Sequence, residues 1–150
     1  EQEISAVLAV PSDRLPDLED VWFFLHSLFE VIGRYRFIYR NFNDVSLELP
    51  GLRKRFQGVL HLKAETARIF ITGLREAGIL SGSRAERAAL ARNIVLITTT
   101  WLPFAEVMPE AADQGPEQAV WQVISLVLPY LRQPERRQLE RLTLAYLHLG

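Results

Sequence analysis

The sequence predicts an all-α fold, a bundle of about six helices, on three observations. Apolar residues recur every three or four positions through the longest aromatic stretch. Helix start signals precede the other apolar segments. One short segment, residues 93–101, favours a strand locally, and no second strand exists to pair with it.

The aromatic stretch is residues 21–42, VWFFLHSLFEVIGRYRFIYRNF, which holds eight of the fifteen aromatic residues. Val21, Leu25, Leu28, Ile32, Tyr35, Tyr39 and Phe42 make one buried stripe. Trp22, Phe24, Phe29, Val31, Phe37 and Ile38 extend the apolar surface around most of the circumference, as expected of a helix inside a bundle. Running from about Asp17 to Asn43, it would be ~40 Å long at ~1.5 Å per residue.

Composition bounds the rest. With 150 residues, 49% of them hydrophobic, one domain spanning residues 1–150 suffices, burying ~70% of its unfolded surface. A formal net charge of −1 gives no general field that would draw nucleic acid or an anionic membrane. The absence of cysteine removes disulfides, thiolate metal sites and cysteine nucleophiles, and fits a reducing cytosol. Apolar runs such as residues 94–97 and 123–128 fall short of the ~20 residues of a membrane span, and there is no signal peptide pattern. The chain begins without methionine inside a helical pattern, EQEISAVLAV, so we expect a fragment of a longer protein.

Taken in order, residues 4–10 read as the end of a helix stopped by Pro11. Pro16 suits a first helical turn, with Asp17, Glu19 and Asp20 where the helix dipole favours negative charge. Asn43, Asp44, Pro50 and Gly51 bracket a short connection with room for one helical turn. Leu52, Phe56, Val59, Leu60, Ala67, Phe70, Leu74 and Ala77 keep helical spacing, and Gly78 is placed as a left-handed terminator. The basic triplet Arg53, Lys54, Arg55 reads as a solvated turn.

Ser83 and Glu86 form a capping box that opens the next helix. Its β-branched second half remains helical, because a lone buried strand would leave backbone groups unsatisfied. Pro103 should kink or end it, and Pro109 should finish the segment. Gly115, Pro116 and Glu117 start a helix with almost no polar side, interrupted by Pro129 and Pro134. The last helix, residues 135–149, turns Leu139, Leu142, Tyr146 and Leu149 inward.

Two helices, the one ending near Trp101 and that of residues 116–131, carry more apolar surface than a small monomer can cover. Burying one large apolar side chain is worth ~1.5–3 kcal/mol, so we expect a homodimer whose four-helix interface includes Ile94, Ile97, Trp121, Ile124 and Leu128. The opposing reading makes both helices interior to one monomer.

On the wheel Arg36 falls beside Phe29 and Ile32, inside the apolar sector, and Arg40 beside Trp22 and Phe29. A buried guanidinium must be paired, either with a glutamate on a neighbouring helix or with the acceptor of a small molecule stacked on Tyr35, Tyr39 and Phe42. The expected ligand-site set is Phe29, Tyr35, Arg36, Tyr39, Phe42, Phe70, Thr99 and Trp101, for a small apolar or weakly acidic effector. Thr98, Thr99 and Thr100 either bond back to their own helix or line that pocket.

Enzyme chemistry has no foothold. His26 with Glu30 and His61 with Glu65 have the spacing of surface pairs. There is no Glu-x-x-His for a carboxylate-bridged di-iron bundle, no Gly-x-Ser-x-Gly, no phosphate loop and no zinc cluster. We expect no catalytic residues, no metal and no cofactor.

The string Tyr35-Arg36-Phe37-Ile38-Tyr39-Arg40-Asn41-Phe42 is followed by a proline-glycine corner, by Leu52-Arg53-Lys54-Arg55-Phe56 and by Leu74-Arg75-Glu76-Ala77-Gly78-Ile79-Leu80. Together these resemble the C-terminal ligand-binding and dimerisation domain of the tetracycline-repressor (TetR/AcrR) family of bacterial transcription regulators. The helix order is similar over nearly the whole chain, the motifs over residues 35–80. The resemblance implies a cytoplasmic homodimer whose small-molecule effector binds among the central helices and resets the spacing of two N-terminal helix-turn-helix domains on operator DNA. That DNA-binding domain is absent from this sequence, so DNA is reached only through it, and no membrane is involved. The family shares no fixed ligand residues, so the pocket set rests on the wheel. The alternative is a stand-alone helical carrier of an apolar small molecule without a role in transcription.

Overall fold

In a computed structural model the chain folds as the expected all-α bundle. The structure describes residues 14–41, 50–108 and 115–149, together with Ala6 and Asp44. The expected helix of residues 4–10, Phe42, and nearly all of the connection between residues 42 and 49 lie outside the described residues.

Helix α1 is Leu18–Arg34. Asp17 caps it by accepting from the Asp20 amide at 2.9 Å, while the Asp20 carboxylate accepts from the Asp17 amide at 2.9 Å. Arg14 also grips Asp20, at 2.6 and 2.7 Å, and this pairing holds its carboxyl below the usual range.

The expected single helix to Asn43 does not form. The chain breaks at Tyr35, with φ −104° and ψ 24°, and resumes as α2, Arg36–Arg40. Gly33, a poor helix former, sits in the last turn of α1, and a tight turn closes the break, Ile38 N–H donating to Tyr35 at 3.0 Å. The break resets the wheel. Tyr39 is buried in the core, as its stripe predicts, whereas Arg36, expected in the apolar sector, is exposed together with Phe37.

Helix α3, Pro50–Glu76, buries Phe56, Val59, Ala67, Phe70 and Leu74 as its spacing requires. It ends at Gly78, whose φ of +70° lets the Ile79 amide reach back to the Leu74 carbonyl at 2.8 Å. Ala77, expected inward, is exposed beyond that end. Helix α4, Arg84–Val107, opens on the Ser83/Glu86 capping box and stays helical through its β-branched half. Thr98 and Thr100 donate to the carbonyls of Val95 and Leu96. Pro103 lies inside the helix, and Met108 caps the end before Pro109.

Helix α5, Gly115–Val127, runs into a 3-10 turn, Leu128–Tyr130, around Pro129. Helix α6 is Gln133–Leu149. Its inward stripe is Leu139 and Thr143, both fully buried, with the Thr143 hydroxyl on the Leu139 carbonyl at 2.8 Å. Leu142 points outward at 38% exposure, because the i, i+4 phase that buries Leu139 and Thr143 excludes it. An isolated antiparallel bridge, Leu80 with Leu131, ties the turns after α3 and α5 together. Among the described residues there is no strand.

The core lies where α1 packs on α5 and α6, and α3 and α5 pack on α4. Of the two helices with excess apolar surface, α5 is satisfied within the chain through Ala119, Val120, Val123, Ile124 and Val127. Helix α4 is not: Leu96 is 59% exposed, Phe104 51% and Val107 78%. By length and composition it is also the one described helix long and apolar enough to cross a membrane, a criterion that core helices of soluble proteins also meet.

Candidate ligand site and self-association face

The break at Tyr35 and the first half of α3 enclose a cavity of about 160 Å³ lined by Tyr35, Ile38, Tyr39, Leu52, Arg55, Phe56 and Val59. It lies between α2 and α3, where Leu52, Phe56 and Val59 repeat at helical spacing along α3. Tyr39 sets its edge against Phe56, with centroids 5.6 Å apart and planes at 70°. Its hydroxyl is buried and, among the described residues, has no hydrogen-bond partner. Burial pushes that hydroxyl's pKa up to about 12.

Lys63 follows Val59 on the same stripe of α3 and is 3% exposed. Its ammonium donates to the Thr98 carbonyl at 3.0 Å and to the Thr99 hydroxyl at 3.4 Å, and lies 4.7 Å from the centroid of the Tyr39 ring. Among the described residues no carboxylate pairs with it, and burial drives its pKa down to about 7. The acceptors lie on the turn of α4 just before Pro103, where proline has no amide to return to the Thr99 carbonyl.

The expected pocket residues separate accordingly. Tyr35 and Tyr39 line the cavity. Thr99 touches Lys63. Phe29 is buried in the core, and Phe70 packs there against Phe24 at 5.1 Å. Arg36 faces solvent, because its inward phase was that of an unbroken helix. Arg40 pairs with Glu106 across to the last turns of α4, the ion pair expected of a neighbouring helix. Trp101 stands elsewhere, against Phe104 with centroids 5.8 Å apart.

Sequence reasoning missed Lys63, Arg55, Leu52, Phe56 and Val59 as a group around one site. The signal was present. Phe56, Val59, Lys63, Ala67 and Phe70 form one continuous stripe, so a lysine at its centre had to be buried.

On the other side of α4, Leu96, Ile97, Thr100, Trp101 and Phe104 form with Gln122 of α5 an apolar groove of about 250 Å³. Of the residues expected to meet a twin, Ile94, Ile97 and Trp121 are half-buried. Ile124 and Leu128 are spent inside the chain, at 0% and 5% exposure, because α5 turns that edge to the core. The paired residues of sequence reasoning also re-sort. His26 lies 3.5 Å from Glu30 and stacks on Trp22, whereas Glu65 pairs with Arg68.

The comparisons with known proteins agree with this architecture. The family model TetR, described as a bacterial transcriptional repressor, matches residues 1–139. No curated protein matches the chain. The crystal structure of a TetR-family transcriptional regulator from Marinobacter aquaeolei VT8 superposes with a TM-score of 0.84 at 26% identity, covering 97% of this chain and 70% of that one. The helical frame is therefore that of a known regulator, and the chain belongs to the TetR family of bacterial transcriptional regulators.

Proposed function

We propose that residues 1–150 form the effector-binding and homodimerisation domain of a TetR-family regulator, with DNA binding carried by a segment outside it. The observation that carries this reading is the placement of the Tyr35–Val59 cavity beside α2, whose Arg40 is paired with Glu106 in the last turns of α4. An occupant of the cavity favours one placement of α2 against α3. The Arg40–Glu106 and Lys63–Thr98 links pass that placement to α4, whose outer face meets the twin. The effector thereby selects one dimer shape, and with it one spacing of the two DNA-binding segments. A cavity of about 160 Å³ suits a ligand with one ring, since ~150 Å³ accommodates benzene.

The test adds benzyl alcohol, as a single-ring probe, to the full-length dimeric regulator. Shifts of the Tyr39 and Phe56 resonances with a loss of operator affinity support the reading. Saturation of the cavity with operator affinity unchanged would remove the effector role.

A further inference from the structure

We propose that the groove between the far half of α3 and the first half of α4 binds an organic phosphate, with phosphate oxygens on its arginines and a flat or apolar body on its alanine floor. The groove is separate from the Tyr35–Val59 cavity, and its occupant is a second ligand beyond the effector.

Four arginines rim this groove of about 550 Å³, Arg68 from α3 and Arg84, Arg87 and Arg92 from α4. Its volume falls within the ~300–1,000 Å³ of small-molecule sites. Residues 73–83, which join its two walls, are all described. Ala64, Ala88 and Ala91 lie among the arginines, and their short side chains leave open the space that larger ones would fill.

The chain as a whole has a formal net charge of −1, so four arginines in one groove are a local gathering of charge. They gather against two local rules. Arg84 and Arg87 stand in the first turn of α4, where the helix dipole disfavours cations, and three residues apart, where like charges repel. Residues that break local rules without a gain to the fold mark places that serve something else.

Their present partners leave room for a ligand. Arg68 pairs with Glu65 on its own helix, an exposed pair that an anion can displace. Arg87 donates to the Gly82 carbonyl, which holds its guanidinium in place with most of its five N–H donors unspent. Arg84 and Arg92 are exposed and, among the described residues, meet no carboxylate. Glu86, between Arg84 and Arg87 in sequence, is spent on the Ser83 amide in the capping box. A carboxylate offers one edge to one guanidinium fork. A phosphate offers three oxygens and close to two negative charges, so it engages two or more arginines at once. The floor and the guanidinium planes then favour a phosphate that carries a body over a bare one, because arginine stacks on flat rings.

The experiment titrates the full-length regulator calorimetrically with ADP, which supplies both parts, and with pyrophosphate and adenosine, which supply one each. We expect ADP to bind at least about tenfold more tightly than either, and less tightly as salt is raised. Arg84→Ala/Arg92→Ala removes the two arginines that meet no carboxylate. Both are exposed, so Tm should hold while ADP affinity falls at least about tenfold. Arg53→Ala/Lys54→Ala takes the same charge from exposed positions at the start of α3 and should leave ADP binding within about twofold. Pyrophosphate binding as tight as that of ADP would overturn the assignment of an organic ligand. Equal losses in the two double variants would reduce the effect to general charge and overturn the site. Binding of poly-glutamate but not ADP would give the groove to an acidic protein partner instead. If the wild type binds no ADP, the inference fails, and the benzyl alcohol test of the Tyr35–Val59 cavity is untouched.

Discussion

Gly73 on α3 faces Pro16 at the start of α1 so closely that a Cβ built on Gly73 would stand 2.5 Å from Cδ and 2.8 Å from Cγ of the proline ring. This contact fixes how α1 begins against the far half of α3. The ring is a rigid part of the backbone, so it cannot swing aside as a lysine tip would.

Gly73→Ala therefore sets two effects against each other. Alanine improves helix propensity by about 1 kcal/mol, whereas forcing a methyl group into a packed contact costs about 1–3 kcal/mol. At 2.5 Å the steric effect wins, and we expect a lower Tm in thermal melts. An unchanged or raised Tm would mean that the start of α1 yields freely.

The buried ammonium of Lys63 makes stability depend on pH in a defined direction. Its folded pKa, about 7, lies below the ordinary value of 10.5, so between these limits the unfolded chain holds the extra proton. Stability then rises with pH from about 7 towards 10, with a limiting slope of about 1.4 kcal/mol per pH unit. Tyr39 acts oppositely above 10, because its folded pKa is the higher one and the folded chain keeps the proton. Chemical denaturation across pH 6 to 11 should show a maximum near pH 10. Lys63→Met should remove the rising limb and stabilise the chain at pH 7 by about 1–4 kcal/mol. A flat profile in the wild type would show that Lys63 is hydrated and ordinary.

How far the sequence foretold this arrangement depends on the range of the forces involved. The Ser83/Glu86 box and the Gly78 terminator were legible because each is decided within a few residues. The stripe of α1 was legible through its period. The break at Tyr35 was not, since Tyr35 and Tyr39 continue the same stripe across it. Tyr39 kept its buried place across the break, but the inward phase read for Arg36 on an unbroken helix failed. Likewise the second half of α4 and the whole of α5 both carried excess apolar surface in sequence. That α5 is absorbed by α1 and α6 while α4 keeps a bare side depends on contacts between distant segments.

The Arg40–Glu106 pair is half-exposed on both sides, 40% and 41%, so it should matter little for stability. Arg40→Ala should lower stability by less than about 1 kcal/mol. If this pair passes the state of the cavity to α4, the same variant should still bind a cavity ligand yet weaken that ligand's effect on operator binding. Melting curves and operator titrations of the full-length regulator separate the two roles. A variant with full ligand response would confine the pair to the surface.

The bare side of α4 supplies the last prediction. Leu96, Ile97, Trp101 and Phe104 recur at spacings of one to four along one helix, and Gln122 closes the groove they make. Exposed apolar side chains arranged as one strip favour association, because each large side chain covered by a twin contributes about 1.5–3 kcal/mol. A glutamate in such a strip would be desolvated against the twin's apolar surface without a partner charge, which opposes association. Phe104, 51% exposed, is spent little within the chain, so its replacement should leave the fold intact. We expect sedimentation equilibrium to give a dimer for the wild type and a monomer for Phe104→Glu, with Tm at low protein concentration hardly changed. Phe23, equally bare at 67% but on α1, provides the control, and Phe23→Glu should remain dimeric. A dimer that survives Phe104→Glu and dissociates with Phe23→Glu would move the interface from α4 to α1.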